Sequence, residues 1–267
     1  MTTTGASSTT VTEQDIYQAI SDVLDPELDE PLVKLGFIDR VQVDGADVSI
    51  TFKLPTYWCA PNFAYLMAAD LRRQAGSVSG VRHVRVILLD HCAEDEVTNG
   101  VNQGQTFSAA FPGEANEDEQ LEELRRTFLR KGFLMRQDAL LRQMVKLGLD
   151  EATIAALRVA DLRLDEEADA ALLTAHGREY HLERAGRTAR LYQQRRVALG
   201  LPHAATDPLI IDDAGQPLQA GELPQFLRRS RSIRMNIMFN TTMCKGLFRT
   251  RYENAGAGAA YPEGESI

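Results

Sequence analysis

The segment Leu54-Pro55-Thr56-Tyr57-Trp58-Cys59-Ala60-Pro61-Asn62 joins two stretches of different periodicity. Before it, Val48, Ile50 and Phe52 alternate with Asp47, Ser49, Thr51 and Lys53, the period of two of a half-buried strand. After it, Phe63, Leu66, Met67 and Leu71 recur at helical spacing. The segment must therefore turn a strand into a helix, with Cys59 where the helix begins. Unpaired N–H groups and the positive end of the helix dipole favour thiolate there, the form that reacts and binds metals. The plainer account of such a cysteine is a small buried residue at a turn.

The flanking sequence extends this unit. A helix is predicted from near Thr12, with Glu13 and Asp15 in its first turn and Ile16, Ile20, Val23 and Leu24 on one face. It stops at Asp25-Pro26-Glu27-Leu28, because a residue before proline resists the α region. Leu32–Gly36 reads as a turn and Phe37–Val43 as a strand. Asp44-Gly45 is a hairpin signal leading into the strand that ends at Lys53. Val81–Leu89 reads as a third strand, central because it ends in an apolar run, and it leads into Asp90-His91-Cys92.

Strand, helix, strand over 46–89 is a crossover unit, so its two strands should be parallel and end at one sheet edge. Sites in open α/β sheets gather at such carboxyl ends. Cys59, His91 and Cys92 are therefore candidate metal ligands, since thiolate with imidazole suits iron, an iron–sulfur cluster or zinc. In the alternative, His91 and Cys92 merely begin a loop.

The remainder should be a separate, mainly helical domain. The expected organisation is a disordered tail over 1–12, an α/β domain over 13–92, an acidic linker over 93–116, a helical domain over 117–252 and a flexible tail over 253–267. Helices are expected from Asp118, with Leu121, Leu124, Phe128 and Leu129 on one face, and then over 133–147, 150–157, 168–176, 188–199, 223–231 and 233–249, with a short strand or extended piece at Pro208–Ile211. Gln225–Tyr252 carries Arg228, Arg229, Arg231, Arg234, Lys245, Arg249 and Arg251 and no acidic residue. It is either a solvated face answering the acidic stretch Glu114–Glu123 or a docking surface for an acidic partner. Cys244 lies in this segment and is expected to be remote from Cys59.

Lys and Arg total 29 against 38 Asp and Glu, a net charge of −9, which argues against general binding to nucleic acid or anionic membrane. No apolar run is long enough to span a bilayer, and Met1–Thr10 lacks the features of a secretory signal. Cys59, Cys92 and Cys244 are odd in number and widely spaced, which makes no disulfide framework and points to a reducing cytoplasm.

Asp25-Pro26-Glu27-Leu28, Leu35-Gly36-Phe37-Ile38 and a strand leading to Pro55-Thr56 with Cys59 closing the turn together resemble the metal–sulfur cluster biosynthesis family, which includes PaaD and SufT. The resemblance spans roughly residues 13–91. It implies a small α/β domain of the iron–sulfur assembly type, with Cys59 as the functional thiol and Asp25, Glu27 and Thr56 as supporting positions. This sequence departs from the family turn in placing Tyr57-Trp58 before Cys59 and Ala60 between Cys59 and Pro61. The added helical domain is similar to that of monooxygenase-associated maturation proteins. A second, shorter likeness joins Leu149–Leu162 and Pro208–Leu218 to tyrosine recombinases. Their His-x-x-Arg motif and following tyrosine are not evident at suitable positions, and the stretch reads as helical convergence.

The expected function is that of a cytoplasmic accessory factor rather than an autonomous enzyme. It would help assemble an iron–sulfur cluster or iron centre in a client metalloprotein, such as a component of a non-haem diiron monooxygenase, with no catalytic residue of its own. Two other classes remain open. One is a scaffold for oxygenase subunits or a chaperonin, without metal chemistry. The other is a hydrolase or transferase using Cys59 as nucleophile with His91 as base.

Overall fold

The structure, a computed structural model, describes residues 10–112, 117–165 and 168–253. The expected tails lie outside them apart from Thr10–Thr12 and Glu253, as does the end of the expected linker. The chain forms two compact units, residues 1–122 with 239–267, and residues 123–238. The end of the last helix, from Phe239, therefore belongs to the first unit, where a domain boundary near residue 117 alone would have left it in the second.

In the first unit, helix α1 spans Glu13–Ala19. Thr12 caps it: its Oγ1 accepts from the Asp15 N–H at 3.2 Å, and Asp15 accepts from the Thr12 N–H at 2.9 Å. Next come the two-residue strands β1 (Leu24–Asp25) and β2 (Glu30–Pro31), which pair antiparallel, and the single turn α2 (Leu32–Leu35). The Asp-Pro-Glu motif thus occupies the loop of a small hairpin, not the end of α1. Gly36 takes a left-handed φ of 78° to end α2.

Strands β3 (Ile38–Asp44) and β4 (Asp47–Lys53) form the predicted hairpin, with Gly45 at φ 62° in its turn. The turn after β4 leads into α3 (Pro61–Gly76), which has proline in its first turn, where no N–H is needed. Strand β5 (His83–Leu89) then pairs parallel to β4 in register from Asp47 with His83 to Lys53 with Leu89. Val48, Ile50, Phe52, Val86 and Leu88 from β4 and β5 are buried with Leu66, Leu71 and Ala75 of α3.

The sheet order is β3-β4-β5, so β5 is an edge strand and not the central one. Its apolar sequence reflects a cover rather than a neighbouring strand. The expected linker contains two helices, α4 (Glu94–Asn102) and α5 (Phe107–Ala110). Asn102 of α4 bonds the edge as a strand would: Oδ1 accepts from the Val86 N–H at 2.9 Å and Nδ2 donates to the Val86 carbonyl at 2.7 Å. Thr98 Oγ1 accepts from the Leu88 N–H at 3.1 Å. Backbone groups on an edge need such partners, and periodicity does not reveal side chains that supply them.

The long helix α6 (Glu117–Lys146), one helix where two were expected, carries the chain into the second unit. There, α7 (Glu151–Ala156) has Asp150 as N-cap, accepting from the Thr153 N–H at 2.7 Å. Strands β6 (Leu162–Asp165), β7 (Ala170–Ala175) and β8 (Arg178–Leu182) form an antiparallel sheet. The expected helix over 168–176 is thus a strand. Its Ala and Leu suit a helix, but His176 and Gly177 both adopt positive φ (48° and 70°), the requirement of a tight two-residue hairpin turn. Turn chemistry overrides propensity here.

Helix α8 (Gly186–Ala198) and the part of α9 (Leu223–Phe248) up to Met238 complete the unit's helical side, α9 running as one helix where two were expected. The core around Phe133, Leu141 and Leu173 also encloses polar groups. Arg196, 1% exposed, donates to the carbonyls of Leu209 (2.9 Å) and Pro208 (3.0 Å) and fixes the extended segment 208–211. Gln137 Nε2 donates to the Ile211 carbonyl at 2.7 Å. Among the described residues no helix is long and apolar enough to cross a membrane.

Candidate functional site

Cys59 is half-buried in the turn between β4 and α3. Its Sγ lies 3.2 Å from Thr56 Oγ1. A thiolate can only accept, so the Thr56 hydroxyl donates whenever Cys59 is ionised. A long backbone bond from the Cys59 N–H to the Thr56 carbonyl, at 3.5 Å, closes the same turn. Tyr57 and Trp58 within this turn are exposed, Trp58 at 77%, with their rings edge-to-face at 5.0 Å.

The parallel strands bring the end of β5 to this turn, as the crossover argument requires. The Cys92 N–H donates to the Tyr57 carbonyl at 2.9 Å and ties the two strand ends together. His91 is buried, at 3% exposure. Its Nδ1 accepts from the Ala93 N–H at 3.1 Å, so Nε2 carries the proton and donates to the Cys59 carbonyl at 2.7 Å. Burial lowers the His91 pKa, with Arg251 adding to the effect, while the bond to Cys59, Glu94 and Glu96 oppose it. The ring is therefore neutral near pH 7, and both of its nitrogens are engaged with backbone.

Of the three residues expected as metal ligands, Cys59 presents its sulfur, His91 spends its ring on the backbone, and the Cys92 side chain is exposed. No group of three His, Cys, Asp or Glu among the described residues is already arranged around a metal position.

The supporting motif positions are also placed. Asp25 Oδ1 accepts from the N–H groups of Glu27 (2.9 Å) and Leu28 (3.0 Å), an Asx turn that shapes the β1–β2 loop. Asp25 is 9% exposed, and burial pushes its pKa up to about 6 against the pull of those two N–H groups. Glu27 Oε1 accepts from Asn240 Nδ2 at 3.1 Å.

That last bond comes from a segment that the sequence did not connect to this edge. Phe248 lies against Phe37, ring centroids 5.2 Å apart. Arg251 Nη2 donates to the Asp90 carbonyl at 2.8 Å, and Nη1 to the Leu54 carbonyl at 3.5 Å. The Tyr252 ring takes Lys53 Nζ at 5.2 Å from its centroid. Residues 239–253 thus bind both strand ends and the Asp-Pro-Glu loop. Cys244 is not remote: it packs against the same core as Cys59. Burial, followed by Asp25, Cys59 and Glu27, pushes its pKa up to about 11. The signal available in sequence was the spacing of Asn240, Cys244, Phe248 and Tyr252, four residues apart on one helical face.

Residues 13–86 match the iron-sulfur cluster assembly protein family. No curated protein and no solved structure matches the chain. The assembly-family match covers α1 through most of β5 and includes Asp25, Glu27, Thr56 and Cys59. It supports a role in iron–sulfur cluster assembly. It stops before His91, so the histidine that holds the Cys59 carbonyl, the second unit and the closing segment 239–253 all lie outside the matched region.

Proposed function

We propose that this protein is a maturation factor that carries iron or an iron–sulfur cluster on Cys59 and delivers it to a specific metalloprotein client. The observation that carries this reading is the Cys59 turn. Within a segment matching the assembly family, the thiol is placed between a hydroxyl that can stabilise its anion and a buried histidine that fixes its backbone. Soft thiolate is a suitable donor for iron–sulfur cargo. Half-burial of Cys59 suits a thiol that is partly shielded from solvent.

The arrangement disfavours a Cys59 nucleophile served by His91. A general base needs a free ring nitrogen within reach of the thiol, and both nitrogens of His91 are committed to Ala93 and Cys59 backbone. The client reading rests on two exposed surfaces, one within the assembly segment and one beyond it. The exposed Tyr57–Trp58 pair beside the thiol and the basic face of α9 at Arg228, Arg229 and Arg231 offer it contact surfaces. A component of a bacterial non-haem diiron monooxygenase, working in the cytoplasm, is the client we put forward.

Cluster transfer tests the proposal. Protein loaded anaerobically with ferrous iron and sulfide should pass a cluster to an apo-acceptor, and Cys59→Ser should abolish transfer. Equal transfer by Cys59→Ser would leave a scaffold role.

A further inference from the structure

We propose that residues 239–253 form a strap that closes over the Cys59 edge and opens by local unwinding, so that the thiol is reached only when the strap lets go. A few side chains on its inner side hold it to the rest of the first unit. Asn240 Nδ2 donates to Glu27 Oε1 at 3.1 Å, and the Phe248 ring lies 5.2 Å from that of Phe37. Arg251 donates to the carbonyls of Leu54 and Asp90, the residues with which the two parallel strands hand over to the Cys59 turn and to His91. The same guanidinium lies 5.0 Å from the centre of the Tyr252 ring, which also takes Lys53. Cys244 is half-buried on this side, packed on the core that also receives Cys59.

The helix that carries these anchors is built to yield. Gly246 sits inside it although a Cβ there would meet nothing within 4 Å, so space does not call for glycine and helix propensity is given up. Thr250 Oγ1 donates back to the Gly246 carbonyl at 3.0 Å, a bond that tends to bend helices. The helix then widens to a π turn over Arg249–Glu253, where Arg251 makes its two bonds. Phe239, Met243 and Leu247 on the outer side are exposed, so the segment is packed from one side only. Helices owe most of their stability to such packing, and segments with little of it open first. Opening would uncover Cys59 and turn Cys244 out to solvent in one event. The use of this gate rests on the maturation reading above, in which cargo on Cys59 is shielded until the client arrives; the gate itself does not.

The test is alkylation of the full chain by N-ethylmaleimide under anaerobic native conditions, each cysteine followed by peptide mass mapping. Cys92, whose side chain is exposed, is the internal reference. In the parent, Cys59 and Cys244 should react about tenfold or more slowly than Cys92, and their rates should rise with urea less steeply than global unfolding does. Gly246→Ala should slow both thiols by one common factor, about fivefold, because it adds helix propensity and meets no neighbour. Arg251→Ala should speed both by about tenfold through its lost bonds to the strand ends, with Cys92 unchanged. A change confined to Cys59 would make Arg251 a brace of the turn alone and overturns the strap. Parent Cys59 reacting as fast as Cys92, or unchanged rates in Gly246→Ala, overturns it as well. The two readings fail separately. Uncoupled thiols with normal cluster transfer remove the gate and leave the maturation function. Coupled opening without cluster loading does the reverse.

Discussion

His91 Nε2 donates to the carbonyl oxygen of Cys59 at 2.7 Å, so the imidazole holds the backbone of the reactive turn rather than its sulfur. The bond joins the ends of two parallel strands across the sheet edge. Its orientation is set by the Ala93 N–H, which occupies Nδ1. Replacing His91 with Ala leaves the Ala93 donor without its acceptor and a cavity at a residue only 3% exposed. We expect a loss of about 2–4 kcal/mol in urea unfolding. Alkylation of Cys59 should also become faster as the turn loosens.

The same histidine sets one pH trend. Its folded pKa is lowered by burial, so the unfolded chain takes up a proton that the folded chain refuses. Its contribution is therefore present above the unfolded value, about 6.5, and is lost as pH falls below it. His91→Gln should flatten the stability curve on the acid side of that value.

Asp25 runs the other way. Its folded pKa, about 6, exceeds the ordinary 3.8, so the folded chain binds the extra proton between those values. Stability from this group is highest below about 3.8 and falls as pH rises to 6, by about 3 kcal/mol in total. Asp25→Asn keeps an oxygen for the Glu27 and Leu28 N–H groups and removes the buried charge. At pH 7.5 the variant should unfold at higher urea than the parent by about 1–3 kcal/mol. Lower stability there would mean that the charge is compensated in the folded protein. A site residue that costs stability is consistent with selection for binding rather than for rigidity.

Much of this edge was legible in the sequence. The change of period around Cys59 located the strand-to-helix turn, and the crossover unit placed His91 and Cys92 beside it. What His91 does there was not legible, because periodicity places a side chain at an edge without saying which backbone atoms its nitrogens meet. The helix expected at Ala170–Ala175 became a strand because the His176-Gly177 turn fixes a hairpin that Ala and Leu propensities do not register. Cys244 was missed for a different reason. Its closure on the first unit is long-range, written only in the four-residue repeat of Asn240, Cys244, Phe248 and Tyr252, whose partners Glu27, Phe37 and Lys53 lie near the start of the chain.

A Trp58 variant would distinguish loading from delivery. Trp58 is 77% exposed, and its ring meets Tyr57 rather than the core. Trp58→Ala should load iron and sulfide as the parent does but transfer its cluster at least fivefold more slowly, a loss of about 1 kcal/mol or more at a contact. Equal transfer rates would exclude Trp58 from the client contact.

The basic face of α9 has its own signature. Arg228, Arg229 and Arg231 are exposed, whereas Arg234 is drawn to the buried Asp138 carboxylate at 3.1 Å. If the client is acidic, charge reversal at the three exposed positions should slow association at low salt and flatten its dependence on salt. Association unchanged at both low and high salt would show a face that is only solvated.

The most direct measurement is the iron and acid-labile sulfide content of the chain after anaerobic reconstitution, parent against Cys59→Ser. The account predicts iron and sulfide in comparable amounts on the parent and near-background values on Cys59→Ser, with folding preserved by circular dichroism. Equal iron and sulfide on the two proteins would contradict it.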